Sequence, residues 1–265
     1  MEAVLPKSLD EALAALEAEP QATLLAGGTD IMVEVNLAGL RPAHVIGLRR
    51  IDELRELDGR RVGSGVTYRR LEDGVHPALA QLSRTVGSPQ IRNAGTIGGN
   101  LGTASPAGDA LPFLAALDAE VELASAKATR VMRWDDFIVG VKKNSRQPGE
   151  LITAAILPEH VPDRQAFAKI GVRSAMVIST VSACLFRDDD GTTTIALGSV
   201  APIPLRPRQA EAMISAERTP SDAALGEFAR LVSEEVSPIT DHRSTEGYRR
   251  HASGVLARRL LERCL

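Results

Sequence analysis

The sequence predicts an α+β protein in two domains, and three observations carry that prediction. Short apolar runs alternate with helical patterns over the first 160 residues. Pro158 and Pro162 then bracket a charged stretch, PEHVPDR, which marks a boundary. Beyond it the hydrophobic period shortens to that of β-strands, and three helical patterns close the chain. The expected division is residues 1–160, split into parts of about 1–58 and 59–160, followed by residues 161–265. A chain of 265 residues, 44% hydrophobic and 25% charged, can bury a core without disulfides.

The elements follow in order. Leu9, Leu13 and Leu16 share one face of a helix over 9–18, with Ser8 as N-cap and Glu11 completing a capping box. Thr23–Leu25 reads as a short buried strand, broken by Gly27 and Gly28. Thr29 or Asp30 can then cap a helix that puts Ile31, Val35 and Ala38 on one face. Residues 44–48 and 61–66 read as strands. Residues 87–108 hold six of the 22 glycines, where even spreading would put about two, and read as a long irregular segment. A helix over 110–117 and strands over 120–124 and 149–157 complete the first part. Residues 176–187 and 192–200 flank Asp188–Gly191, a hairpin turn with glycine where positive φ is needed. Helical patterns over about 206–215, 221–236 and 245–263 finish the chain.

Charge and composition exclude several functions. The net charge of −3 counts against a nucleic-acid binder, which carries a basic excess or stripe. No apolar run approaches the roughly 18 residues that cross a bilayer. The N-terminus lacks a basic-then-apolar signal pattern, so the cytoplasm is the expected compartment. Only two cysteines occur, Cys184 and Cys264, with no CxxC, so this chain cannot supply four thiolates to an iron–sulfur cluster or a structural zinc. The five histidines have no ligand spacing, and no metal is expected on this chain alone. Aromatics are 3%, so a planar cofactor would be held mainly by backbone and aliphatic side chains.

Two glycine pairs carry the chemistry. In Ala26-Gly27-Gly28-Thr29-Asp30 a strand runs through glycines into a helix start, where unpaired N–H groups meet incoming anions. An ordinary tight strand-to-helix turn accounts for the same residues equally well. The pattern is neither GxGxxG nor GxxxxGK[ST]. In Thr96-Ile97-Gly98-Gly99-Asn100 the second pair offers consecutive amides that can form an anion nest, with Thr96 and Asn100 as side-chain donors. Together the pairs suggest two loops closing on one diphosphate. Asp109 can accept from sugar hydroxyls or simply cap the helix that follows. Valine at Gly28 or Gly98 is expected to exclude such a ligand while leaving the fold intact.

The runs LLAGGTDIMVEVNLAGLRPAHVIGLRRI, GSPQIRNAGTIGGNLGTASPAGDALP and PGELITAAILP resemble the FAD-binding subunit of molybdenum hydroxylases. That family includes the medium subunits of xanthine dehydrogenase and carbon monoxide dehydrogenase. GSVAPIPLRPRQAE and ITDHRSTEGYRR resemble its C-terminal flavoprotein domain, so the likeness spans nearly the whole chain. It implies a two-subdomain FAD-binding fold of the vanillyl-alcohol-oxidase/PCMH type, followed by an α+β domain with a small antiparallel sheet. It further implies that Leu25 to Ile31 and Thr96 to Asn100 bind the FAD diphosphate region. By the same carry-over, Thr103, Ser105 and Asp109 meet the ribityl and ribose portions, and Ile152 and Lys169 lie near the flavin. The FAKIGVRS segment departs from the family pattern, with Ser174-Ala175-Met176 replacing part of a basic run. Lys169 therefore also reads as a solvated surface lysine.

The resemblance implies electron transfer. Substrate is oxidised at a molybdenum cofactor in a large subunit. Electrons pass through two [2Fe–2S] clusters of a small subunit to FAD here, and on to an external acceptor. The implied assembly is (αβγ)2. Neither glycine motif holds a flavin-linking His or Cys, so FAD is expected to be non-covalent. The alternatives are a stand-alone FAD-dependent reductase and a phosphate-binding scaffold that has lost its flavin.

Overall fold

The structure is a computed structural model that describes residues 2–265. The first region joins Glu2–Val4 (β1), Leu9–Ala18 (α1), Thr23–Leu25 (β2), Ile31–Leu37 (α2) and His44–Gly47 (β3). Its three strands form a parallel sheet in the order β1-β3-β2. Leu13, Leu16 and Ala12 of α1 bury against Ile46, Ile51 and Leu54, which is the face the leucine spacing requires. Ser8 Oγ accepts from the Glu11 amide at 3.2 Å. The Glu11 carboxylate takes the Lys7 amide at 2.8 Å rather than that of Ser8, so the capping box closes one residue early.

The second region is built on an antiparallel sheet of Leu57–Asp58 (β4), Arg61–Gly63 (β5), Glu120–Ala124 (β6), Thr129–Arg133 (β7) and Leu151–Ile156 (β10), ordered β4-β5-β10-β6-β7. Between its strands lie Tyr68–Leu71 (α3), Pro77–Thr85 (α4), Pro89–Ala94 (α5), Ile97–Thr103 (α6), Ala110–Ala116 (α7) and Trp134–Phe137 (α8). Ile138–Gly140 (β8) and Lys143–Asn144 (β9) make a small ribbon. Residues 87–108 are therefore not one irregular segment, contrary to the expectation from glycine density. Ser88 Oγ caps α5 and Thr96 Oγ1 caps α6, with Pro89 at the first turn. These are helix-start signals that the glycines mask.

The third region pairs Arg164–Ile170 (β11), Val181–Arg187 (β12) and Thr193–Gly198 (β13) in an antiparallel sheet. Arg208–Ser215 (α9), Asp222–Glu235 (α10) and Glu246–Arg263 (α11) cover one face of it. Gly191 stands at φ +101° in the β12–β13 turn, as the Asp-Gly signal requires. The largest hydrophobic cluster joins Phe113 of α7 to Phe167, Cys184 and Phe186, so one core runs across residue 160. Burial pushes the Cys184 thiol up, and Cys184 behaves as inert packing. Behind β12, Arg249 of α11 is 3% exposed and donates to Asp241 at 2.8 Å and to the Ser199 carbonyl at 2.9 Å. Burial pushes the Asp241 carboxyl up, but the Arg243 and Ser244 amides and Arg249 hold it down at about 2.

Candidate functional site

A groove of about 1020 Å³ opens between the parallel sheet and the α3–α6 segment, with β10 at its base. Ala26, Gly27, Gly28, Thr29, Asp30 and Ile31 line one side. Thr96, Gly98, Gly99, Asn100 and Thr103 line the other, and Ser105, Asp109 and Ile152 complete the wall. The fold thus brings both glycine motifs to one cavity, as the paired-loop reading expects. Leu25, Ile97 and Lys169 stand behind the wall. Leu25 sits in β2, Ile97 is 1% exposed in the core, and the Lys169 side chain is buried.

Along the first motif, the six backbone amides from Ala26 to Ile31 have no acceptor among the described residues. Five of these residues are half-buried and Asp30 is exposed, so the amides stand open to an incoming acceptor. Gly28 holds φ +73°, which glycine adopts without strain and which turns the chain into α2. Gly27 serves the fold instead. A Cβ there would stand 1.8 Å from the Ala94 carbonyl oxygen, so only glycine lets this loop meet the end of α5. Asp30 occupies the N-cap position of α2 but its carboxylate makes no cap hydrogen bond. It accepts from Thr103 Oγ1 at 3.1 Å, tying the two sides of the groove together. No residue of α2 is buried, and Leu37 is 84% exposed, so the apolar face expected at Ile31, Val35 and Ala38 does not enter the core.

The second motif is organised differently. The Ile97 amide donates to the Val66 carbonyl at 3.1 Å and the Gly98 amide to the Ser64 carbonyl at 2.8 Å. The Gly99 amide donates to Thr96 Oγ1 at 2.9 Å and the Asn100 amide to the Thr96 carbonyl at 3.1 Å. The expected anion nest at 96–100 is therefore corrected: these amides cap and dock α6. Gly98 is a packing residue, because a Cβ would stand 2.5 Å from Ser64 Cβ and 2.7 Å from its carbonyl oxygen. Gly99 meets only Thr96 Oγ1, at 3.2 Å, and otherwise looks onto open space. Asn100 Oδ1 is buried without a partner among the described residues. At the base, the β10–β6 register shifts between Ile152 and Ala154, and Ile152 Cδ1 comes within 3.8 Å of a Cβ built at Gly102.

Asp109 precedes α7 but makes no side-chain cap. Its Oδ2 accepts from Lys169 Nζ at 2.6 Å and its Oδ1 from Ser179 Oγ at 2.5 Å. Lys169 also donates to the carbonyls of Thr85 at 2.8 Å and Val177 at 3.2 Å. Its side chain is 8% exposed, so the surface-lysine alternative is excluded. Burial pushes the Asp109 carboxyl up, and Lys169 and Ser179 oppose that. Both feet of the loop carrying Met176, Val177 and Ile178, which also line the groove, are thereby pinned to one carboxylate.

Sequence reasoning missed Ser64, Gly65 and Tyr68 in this wall. Tyr68 had a signal, being one of two tyrosines in an aromatic-poor chain. It is 3% exposed, and its hydroxyl has no partner among the described residues. As an arrangement, the groove offers uncommitted amides on one side, hydroxyl, amide and carboxylate groups on the other, the cations Arg49, Arg55, Lys142 and Arg146, and apolar surface from Ile152 and 176–178. Such a set suits an elongated ligand that is anionic in the middle and planar at one end.

Residues 1–160 match the FAD binding domain in molybdopterin dehydrogenase, and residues 166–264 match the CO dehydrogenase flavoprotein C-terminal domain. The chain belongs to the FAD-binding subunits of the molybdenum hydroxylases. This flavoprotein subunit is 31% identical over 273 residues to the xanthine dehydrogenase FAD-binding subunit of Escherichia coli O157:H7, covering 96% of this chain and 92% of that one. It is 35% identical over 233 residues to the nicotinate dehydrogenase FAD-subunit of Eubacterium barkeri, covering 79% and 77%. A chain of the reconstituted CO dehydrogenase from Oligotropha carboxidovorans superposes with a TM-score of 0.89 at 27% identity, covering 100% of this chain and 97% of that one. The two-subdomain FAD-binding fold with an α+β C-terminal part is thus the fold of this oxidoreductase subunit, and FAD is its cofactor. Among the described residues, no helix is long and apolar enough to cross a membrane, and no group of His, Cys, Asp or Glu could hold a metal ion.

Proposed function

We propose that this subunit passes electrons from the [2Fe–2S] clusters of a small subunit, through non-covalent FAD, to an external acceptor. The clusters would be filled from a large molybdopterin-binding subunit, in an (αβγ)2 assembly. The observation that carries the reading is the row of six uncommitted amides, Ala26 to Ile31, facing a groove that the second glycine motif also borders. Those amides supply donors for a diphosphate, and Arg49, Arg55, Lys142 and Arg146 on the same groove wall add positive charge. Thr103, held by Asp30, and Ser105 and Asp109 present side-chain oxygens to the sugar portions. Ile152 and the 176–178 loop provide apolar surface that keeps water from a planar ring. Bound FAD supplies the redox chemistry, while the protein orients it and sets its surroundings. Two cysteines cannot ligate a [2Fe–2S] cluster by four thiolates, so electrons arrive from outside the chain, from a soluble reductant or from another subunit's cluster, and the family favours the second.

The test is the purified complex and the purified chain. The chain should carry a flavin absorption spectrum, and acid precipitation should release the colour into the supernatant. Colour retained by the denatured chain would overturn the non-covalent assignment. Organic substrates should bleach the flavin in the complex and not in the chain alone. Bleaching in the isolated chain would promote the stand-alone reductase.

A further inference from the structure

We infer that Tyr68 is a positioning residue whose hydroxyl donates to a ribityl hydroxyl of the bound FAD. The inference rests on the FAD reading of the groove and goes beyond it to a residue that neither glycine motif contains. Tyr68 opens α3, where Thr67 Oγ1 caps the turn and the Tyr68 amide donates to the Gly95 carbonyl at 3.1 Å. Its ring packs in the main core beside Val66 and Ile97, and Gly95 gives it room, a Cβ there lying 3.5 Å from Tyr68 Cδ2. The ring is thus locked from both sides, which aims the hydroxyl. That hydroxyl is buried, has no partner among the described residues, and belongs to a residue on the groove wall. A buried tyrosine normally finds a hydrogen-bond partner, and phenylalanine would pack here without the cost of an unmade bond. The partner is therefore expected from the groove.

Position in the groove says which part of the ligand it meets. Burial and the nearby Asp109 carboxylate both push the Tyr68 hydroxyl up, so it stays a neutral donor beside an acceptor already engaged by Lys169 and Ser179. A phosphate at this spot would face the Asp109 carboxylate, whereas a sugar hydroxyl can accept from Tyr68 and donate to Asp109. The uncommitted amides at 26–31 are the place for the diphosphate. Tyr68 stands between those amides and Asp109: a Cβ at Gly95 lies within 3.5 Å of both Tyr68 Cδ2 and Thr29 Oγ1, while Lys169 links Asp109 to Val177 in the apolar loop. The sugar there is the ribityl chain rather than the adenosine ribose.

The experiment uses the full chain stripped of flavin, titrated calorimetrically with FAD and with ADP, as wild type and as Tyr68→Phe. The phenylalanine variant should bind FAD about tenfold more weakly, the loss of one buried hydrogen bond. It should bind ADP like wild type, and its ligand-free Tm should be unchanged or higher, since an orphaned hydroxyl has been removed. Equal FAD affinity in the two proteins would overturn the contact. An equal loss for ADP would move it to the adenosine half and overturn the ribityl assignment. A lower ligand-free Tm with unchanged FAD affinity would make the hydroxyl structural. If wild type takes up no FAD, the proposed function falls and this inference with it.

Discussion

The two glycine motifs look alike in sequence and differ in what their backbone is free to do. In each pair the first glycine serves the fold: Gly27 admits the Ala94 carbonyl and Gly98 admits the Ser64 backbone. In each pair the second faces the groove, Gly28 through positive φ and Gly99 through open space. The amides then diverge. Those of 26–31 are uncommitted, whereas those of 97–100 are spent on Val66, Ser64 and Thr96. A missing Cβ therefore has two unrelated causes, a protein neighbour or a ligand, and only the neighbours distinguish them.

The largest expected effects come from the fold glycines. Gly27→Val and Gly98→Val should cost more than about 4 kcal/mol or prevent folding, since the obstacle is backbone that cannot rotate away. Thermal unfolding and soluble yield measure this. A folded Gly98→Val protein lacking only flavin would restore the ligand-blocking role that the sequence suggested for Gly98. Next is the anchor of the second wall. Lys169→Met leaves the Asp109 carboxylate buried without its cation and should cost about 3–5 kcal/mol in chemical denaturation. Lys169→Met combined with Asp109→Asn should recover part of that loss. No recovery would show that Lys169 acts through Thr85 and Val177 alone.

Smaller effects test the groove glycines. Gly99→Val should change stability by no more than about 1 kcal/mol yet weaken FAD at least about tenfold, roughly 1.4 kcal/mol. Gly28→Val should do the same to FAD and add about 1–2 kcal/mol of left-handed strain. Full flavin occupancy in either variant would dissolve the distinction between fold and groove glycines. A further test reads stability against pH. The folded Asp241 value of about 2 lies below the unfolded value of about 3.9. Its contribution is therefore complete above about pH 4 and is lost as pH falls toward 2. Unfolding curves of wild type and Asp241→Asn should differ above pH 4 and converge near pH 2, with FAD affinity equal at pH 7. A gap that persists unchanged at pH 2 would refute the depressed value.

Much of the architecture was legible because local chemistry and tertiary need agree. The α1 leucines, the Ser8 cap, the β12–β13 turn and the three closing helices follow from period, capping and positive φ, all properties of neighbouring residues. The paired motifs and their family likeness likewise follow from order along the chain. The short helices α5 and α6 were hidden because three glycines in α6 oppose helix formation while Thr96 and the Ser64 contact favour it. Strand β11 was missed because its partner, β12, lies beyond a loop and not beside it in a turn. What only the tertiary structure decided are the pairings between distant residues. Asp109 meets Lys169 60 positions on, Gly98 meets Ser64, and Tyr68 is left with an unpaired hydroxyl in a shared cavity. Whether an amide, a carboxylate or a hydroxyl is available to a ligand depends on who else has already claimed it, and that is settled by contacts that sequence spacing does not encode.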